Sequence, residues 1–178
     1  MRFLPDTYDF FPQTWSLPLQ YEELRRHMQM HQERSLTKRP VFIIKPEASC
    51  QGRGISLIKK LDDIESKDRY IVQEYIANPY LIDELKFDLR IYVLIRSVDP
   101  LRVYIYREGL ARFATAKYCK PKKSNMKNMF MHLTNYAINK KNPDFEFNED
   151  DTHPDEGHKR SLSSIFKVCR GVWIFIME

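Results

Sequence analysis

The run Lys86-Phe87-Asp88-Leu89-Arg90-Ile91-Tyr92-Val93-Leu94-Ile95 sets three charges of mixed sign into a β-rich stretch. Side chains of a strand alternate between its two faces, so Lys86, Asp88 and Arg90 fall on one side and Phe87, Leu89 and Ile91 on the other. The spacing predicts a long strand from Lys86 to about Ser97, with one face in a core and the other presenting a charged grip.

With 178 residues, 43% hydrophobic and 13% aromatic, the chain has enough apolar material for one domain with a real core. Its longest apolar runs stop far short of the ~20 residues a membrane helix needs. Met1 is followed by Arg2, Pro5 and Asp6 rather than by an apolar signal core. The expectation is a soluble, intracellular protein with no membrane contact. Cys50, Cys119 and Cys169 are odd in number, widely spaced and lack CxxC pairing, which implies neither a disulfide frame nor a zinc ribbon and predicts reduced thiols. His153 and His158 lie in an acidic loop without a cysteine partner and read as solvated loop residues rather than metal ligands.

Charge is unevenly spread. Residues 144–156 hold seven acids and no Lys or Arg, so the formal +5 of the chain becomes +12 once those seven are set aside. Between Arg102 and Lys127 eight Lys or Arg face the single Glu108. A net +7 there favours an acidic partner such as nucleic acid, nucleotide phosphates or an acidic peptide, against the plainer reading of a solvated basic face.

Along the chain, the segment to about Thr14 reads as an extended entering loop rich in Pro and aromatics. Ser16 to Arg34 is predicted helical, with Pro18 in its first turn and Tyr21, Leu24 and Met28 on a narrow buried face. Short strands are expected at Val41–Ile44 and Gly54–Ile58, joined by a glycine-bearing connection, then a short helix near Leu61–Glu65 and a strand over Tyr70–Ile76 stopped by Asn78-Pro79. Val98-Asp99-Pro100 marks a turn that folds Leu101–Tyr106 back on the preceding strand as a hairpin. Residues 117–127 form a basic connection, His132–Ile138 is a mixed polar segment, and a short helix is expected near Ser161–Lys167. The predicted core is a mostly antiparallel sheet with few helices.

Among groups able to do chemistry, Gln51-Gly52-Arg53-Gly54 lets backbone approach a phosphate, with Lys45 as counter-charge, although a tight turn explains the same letters. Neither a Walker A sequence, a full dinucleotide fingerprint nor a GxSxG is present. Arg112 follows a Glu108-Gly109 turn. His132-Leu133-Thr134-Asn135 brings together imidazole, hydroxyl and amide groups, with a satisfied core histidine and a capping Asn as the structural alternatives.

Five ordered blocks carry a family resemblance: Lys45-Pro46 with Cys50-Gln51-Gly52-Arg53-Gly54-Ile55, Gln73-Glu74-Tyr75-Ile76, Lys86-Phe87-Asp88-Leu89-Arg90, Glu108-Gly109-Leu110-Ala111-Arg112-Phe113, and His132-Leu133-Thr134-Asn135-Tyr136. Together they resemble the tubulin tyrosine ligase-like family over roughly Phe11 to Phe166. The wording Cys-Gln-Gly-Arg-Gly and His-Leu-Thr-Asn-Tyr-Ala-Ile-Asn is more similar to its polyglutamylase branch.

The resemblance implies an α+β, ATP-grasp-type fold, a mostly antiparallel sheet with flanking helices, incomplete in this chain. Residues 1–35 would be an opening segment and helix, 36–97 the central nucleotide-binding region, and 98–178 the truncated start of the C-terminal region. It implies an ATP-dependent ligase that phosphorylates a glutamate γ-carboxylate of tubulin and joins free glutamate to it through an acyl phosphate. Lys45, Gln51 and Gly52 would contact phosphates, and Gln73, Glu74, Tyr75 and Ile76 would hold adenine. Lys86, Phe87, Asp88, Thr134 and Asn135 would also touch the nucleotide. Arg90, Arg112 and His132 would line the reacting end, where a guanidinium grips a carboxylate or phosphoryl oxygen. Gln51, Arg112 and Lys159 would bind substrate.

The implied cofactors are ATP and Mg²⁺, with the metal ligands outside this chain. Glu146-Phe147-Asn148 has the family's metal-binding letters but lies in an acidic loop with no preceding apolar strand, and is read as coincidence. The family's N-terminal domain is likewise expected to be missing, and the apolar Gly171–Ile176 tail reads as an altered terminus or an unpaired strand. Implied partners are acidic tubulin C-terminal tails, microtubules and free glutamate, not nucleic acid. The protein is expected to be a cytoplasmic, cytoskeletal monomer, with cilium or basal body as sites. The alternative is a catalytically incomplete tubulin- or nucleotide-binding module that lacks the metal site.

Overall fold

Among the described residues, short β-rich runs separated by polar turns build two four-stranded antiparallel sheets and a two-stranded ribbon rather than one sheet. The computed structural model describes residues 7, 10–34, 40–64, 69–148 and 156–169, with the side chains of 32–34 left aside. The apolar tail at Gly171–Ile176 and His153 lie outside the described residues. Packing divides the chain into two units, Met1–Pro79 with Cys119–Met129 and Tyr80–Tyr118 with Phe130–Glu178, a division drawn elsewhere than the expected regions 36–97 and 98–178.

The first unit holds β1 (Thr14–Ser16), α1 (Tyr21–Arg34), β2 (Phe42–Pro46), β3 (Ser56–Ile58), a 3₁₀ turn (Leu61–Asp63) and β4 (Tyr70–Glu74). Its sheet runs β1-β4-β2-β3, antiparallel throughout. Residues directly opposite in such a sheet point the same way. Trp15 and Ile44, both paired with Val72, and Phe42, paired with Ile58 and Glu74, therefore share the face that meets α1. Leu24 and Met28 of α1 close a core there with Trp15, Leu17, Phe42, Ile44, Ile58 and Val72. Burying each large apolar side chain contributes about 1.5–3 kcal/mol, which fixes the register because a one-residue slip would turn this set outward.

The helix starts later than the periodicity predicts. Ser16 belongs to β1, its N–H donates to Oε1 of Gln20 at 2.8 Å, and the Gln20 N–H returns to the Ser16 carbonyl at 2.8 Å. Those bonds close a turn over residues 17–20, so Pro18 precedes the helix and Tyr21 is exposed instead of buried.

The second unit contains β5 (Leu81–Ile82), β6 (Leu85–Arg90), β7 (Val93–Val98), β8 (Leu101–Ile105), β9 (Leu110–Phe113), α3 (Tyr136–Asn139), β10 (Lys159–Ser161) and α4 (Leu162–Val168). The short helix α2 (Met129–His132) leads into it. Four strands form the sheet β10-β9-β6-β5, while β7 and β8 pair with each other as a separate ribbon. On the apolar face, Phe87 and Leu89 pack with Ile82, Ala111, Phe113 and, from α4, Ile165 and Cys169.

Three departures from the sequence reading follow from chain geometry. The long strand over 86–97 is broken after Arg90. Arg90 pairs with Leu110 and Val93 with Ile105, leaving two residues on one arm against four on the other, so the ladder cannot run through. The hairpin at Val98–Leu101 forms as expected, but its ribbon is exposed rather than part of the core. An unforeseen hairpin joins β5 to β6 through Asp83 and Glu84, both at positive φ (54° and 62°). No Asn-Gly pair announces it; Arg160 anchors Asp83 at 2.7 Å and Lys117 pairs with Glu84.

At the same break, Gly109 lies against β6 so tightly that an added Cβ would sit 2.5 Å from the Arg90 carbonyl oxygen. Backbone cannot swing aside as a side chain can. Gly109→Ala is expected to lower stability by about 1–3 kcal/mol, seen as a lower denaturant midpoint at unchanged slope.

Candidate functional site

In the first unit, the face of the sheet turned away from α1 carries Ile43, Lys45, Leu57 and Gln73. Lys45 Nζ donates to Gln73 Oε1 at 2.9 Å, and the Gln73 amide donates onward to Thr14 Oγ1 at 2.8 Å. Burial holds the Lys45 ammonium below the usual lysine range. A half-buried cation whose described partner is a neutral amide suits an anionic ligand.

The loop after β2 takes Gln51, Gly52 and Gly54 into the left-handed region (φ 60°, 84° and 69°). At Gly54 a Cβ would meet Pro46 Cγ at 2.8 Å, so the loop folds closely over the end of β2. Glu74 points to the opposite side from Lys45 and Gln73, and Oε1 of Glu74 lies 2.7 Å from His27 Nε2. Tyr75 is buried with its N–H on the Val41 carbonyl at 2.8 Å, and Ile76 is exposed. A cavity of about 730 Å³ in the same unit is lined by Lys59, Lys60, Lys123 and Lys127 over Leu57 and Met126. Lys59 and Lys60 were not among the residues singled out from sequence, because two adjacent lysines beside a turn read as ordinary surface.

In the second unit, strand register alone sets Asp88, Arg112 and Lys159 in one row across β6, β9 and β10. Arg112 donates from Nε (3.0 Å) and from a terminal nitrogen (2.8 Å) to Asp88 Oδ1, and the Thr134 hydroxyl donates to Asp88 Oδ2. The Lys86 ammonium donates to the His132 carbonyl at 3.0 Å. Lys86 and Asp88 thus tie the 132–134 segment to the polar face of the sheet. A cavity of about 210 Å³ is lined by Arg112, Thr134, Lys159, Tyr136, Phe145 and His158.

Other expected site residues are placed differently. Phe87 lies on the apolar face, its ring 5.4 Å from Phe113. His132 is 1% exposed with its ring edge-on to Tyr118, so in this arrangement it is a core histidine and not a group offered to substrate. Arg90 is exposed at the end of β6. Asn135 makes no side-chain cap; its carbonyl receives the Ile138 and Asn139 N–H groups as α3 begins. The basic stretch 102–127 is shared between the two units.

Sequence reasoning missed Asn139, the last residue of the His-Leu-Thr-Asn-Tyr-Ala-Ile-Asn wording. It is fully buried: Oδ1 accepts the Thr115 N–H (2.9 Å) and hydroxyl (3.0 Å), and Nδ2 donates to the carbonyls of Leu133 (2.8 Å) and Asn135 (3.1 Å). Its signal is a polar residue at the end of a four-residue helix, which sequence alone reads as a turn.

These features define an α+β protein with mostly antiparallel sheets, one bearing a half-buried lysine and the other a row of ionic side chains. The sequence matches the Tubulin-tyrosine ligase family over residues 2–172, and the chain belongs to that family. It is 55% identical over 164 residues to the "Probable beta-tubulin polyglutamylase" of Tetrahymena thermophila, covering 92% of this chain and 13% of that protein. It is 44% identical over 158 residues to "Tubulin polyglutamylase TTLL7" of Mus musculus (89% and 17%). Against "Tubulin polyglutamylase TTLL13" of Homo sapiens the identity is 46% over 144 residues (81% and 17%). The chain thus spans less than a fifth of the length of these relatives. No helix among the described residues is long and apolar enough to cross a membrane.

His158, expected as a solvated loop residue, is instead buried. Its Nδ1 accepts the Glu146 N–H at 3.0 Å, and its ring stacks 5.5 Å from Phe145. Burial, the larger influence, outweighs the attraction of Glu146 and lowers its pKa. Between the ordinary histidine value near ~6.5 and the lowered folded value, the unfolded chain binds a proton that the folded chain refuses. Stability is therefore complete above that window and falls as pH drops through it. Melting temperatures taken between pH 7.5 and 5.5 should decline less steeply for His158→Gln than for the unmodified chain; equal slopes would rule His158 out as the cause.

Proposed function

We propose that this chain forms the nucleotide- and carboxylate-handling part of an ATP-grasp ligase that adds glutamate to glutamate side chains of tubulin. The observation that carries the reading is the Asp88–Arg112–Lys159 row beside the cavity of about 210 Å³. That space lies below the roughly 300–1,000 Å³ of pockets for drug-sized ligands, and suits a carboxylate-bearing amino acid. The relatives named as tubulin polyglutamylases supply the substrate class.

In the proposed reaction an acceptor carboxylate oxygen attacks the γ-phosphorus of ATP, ADP leaves, and an acyl phosphate forms. The amine of free glutamate then attacks the acyl carbon, inorganic phosphate leaves, and the amine gives up a proton. Lys45 and the 51–54 loop would neutralise phosphate charge, with Gln73, Tyr75 and Ile76 beside the adenine, while Glu74 turns to the other face. Arg112 and Lys159 would hold a carboxylate, and Asp88 would keep the Arg112 fork oriented, so geometry is set before the reactants arrive. Thr134 locks the second Asp88 oxygen. Arg90 would reach the reacting end from an exposed position, and His132 would act from inside by holding the Lys86 ammonium on its carbonyl.

Magnesium prefers an octahedron of oxygen ligands. Asp88 has one oxygen on Arg112 and the other on Thr134, so it does not fit as a magnesium ligand in this arrangement, and no step is assigned through that ion. Action on tubulin tails would place the protein as a cytoplasmic monomer on microtubules, those of cilia included.

Removing the Lys45 charge should weaken ATP binding about tenfold or more, the scale of one charged hydrogen bond, while relieving a desolvated cation. Lys45→Met is therefore expected to lose affinity for a fluorescent ATP analogue with no fall in melting temperature. Arg112→Lys keeps the charge but not the fork, and should cut incorporation of labelled glutamate into tubulin in the presence of ATP. Undiminished incorporation by Arg112→Lys would sink the assigned carboxylate site.

The lysine-lined cavity gives the acidic tail a place to bind. Reversing Lys123 and Lys127 to Glu should weaken binding of an acidic tubulin-tail peptide at low salt, with the difference shrinking as salt rises. Unchanged binding at low salt would remove this surface from the reading.

A further inference from the structure

On the α1 side of the first sheet, His27, His31 and Glu74 converge, with one ligand atom from each lying within 4.8 Å of the others. His27 and His31 are one turn apart on α1, so they share a helix face, and their ring centroids are 4.5 Å apart. Glu74 ends β4 opposite Phe42, which turns its carboxylate toward the helix. The His27 side chain is 15% exposed and that of Glu74 31%, enough for an ion and a water to reach them.

The surroundings aim the cluster. The His27 ring is held against Trp15 at 4.8 Å and edge-on to Phe42 at 6.2 Å, which fixes its plane and leaves Nε2 toward Glu74. An ion pair between His27 and Glu74 would be complete without His31. Yet His31 stands beside them, and among the described residues no group hydrogen-bonds its ring. Two imidazoles and one carboxylate, with room for a water, make the donor set of a four-coordinate borderline ion, whereas magnesium and calcium favour all-oxygen sets. Zinc bonds of about 2.0–2.1 Å set tetrahedral ligand atoms roughly 3.3–3.4 Å apart, so the His27–Glu74 pair at 2.7 Å has to open and any wider separation within the 4.8 Å cluster has to close, shifts that side-chain rotation supplies.

We propose that His27, His31 and Glu74 form a zinc-type metal site that clamps α1 to the end of β4. The site lies on the face of the sheet opposite Lys45 and Gln73, so it is separate from the proposed nucleotide contacts and does not depend on them. A bound ion would join a helix to the strand that leads into Tyr75 and Ile76, and would stabilise the folded form by mass action.

The test uses the full chain, stripped with a chelator and titrated with Co²⁺ as a visible probe and then with Zn²⁺. One equivalent of Co²⁺ should give the intense d–d absorption of a four-coordinate ion, Zn²⁺ should displace it, and Zn²⁺ should raise the melting temperature. His31→Gln, at the outer end of the cluster, should weaken binding at least about tenfold and abolish the zinc-dependent rise. Glu74→Gln provides the same comparison should His31→Gln fail to fold, and His153→Gln and Cys50→Ser should bind as the unmodified chain does. Absence of saturable binding, or binding undiminished in His31→Gln or Glu74→Gln, would overturn the site.

Discussion

The ion pair between Asp88 and Arg112 ties the polar half of the second unit together. It joins β6 to β9 across the middle of the sheet, and the second Asp88 oxygen receives Thr134 from the segment that covers that face. Both side chains are about one-third exposed or less, so water screens them only partly. Hydrogen bonds to charged groups contribute about 1.5–3 kcal/mol each, more than the usual surface pair. Removing either partner would leave the other charge half-buried among groups arranged for its counterpart, and would release both the strand row and the covering segment.

That covering segment depends on one further polar device. Asn139 gives the backbone of Thr115, Leu133 and Asn135 the partners that a regular strand or helix would otherwise supply. Residues 132–139 contain only two short helical pieces, so their backbone cannot satisfy itself. Glu108 does related work at the other face, receiving the N–H and hydroxyl of Ser163 at the start of α4. These bonds, that from the Ser163 hydroxyl first among them, lower its pKa. Site and fold are thus held by the same bonds: the group that orients Arg112 also docks the Thr134 segment.

Where a stretch was strongly alternating or bounded by a turn residue, the sequence reading matched the structure closely. The alternation of Lys86, Asp88 and Arg90 against Phe87 and Leu89 is the pattern found in β6, and the strand at 70–74, the turn at 98–101 and the final helix lie within a few residues of expectation. The reading erred where a long-range partner decided the outcome. Nothing local in Ile91-Tyr92 says that the facing arm has two residues too many, and nothing in His158 says that Glu146 and Phe145 will close over it. Glu74 and Phe87 were grouped with nucleotide contacts because their neighbours in sequence were, although strand alternation turns each to the other face.

By itself the sequence determined which residues carry charge into strands, the mostly antiparallel α+β character and the family, because period, turn chemistry and ordered motifs are local properties of the chain. Only the tertiary structure decided that Asp88, Arg112 and Lys159 stand in one row, that His132 and His158 are interior, and that His27, His31 and Glu74 meet. Those are matters of register and of which faces pack together. They are fixed by the burial of apolar sets from distant segments, and no window of the sequence contains both sides of such a contact.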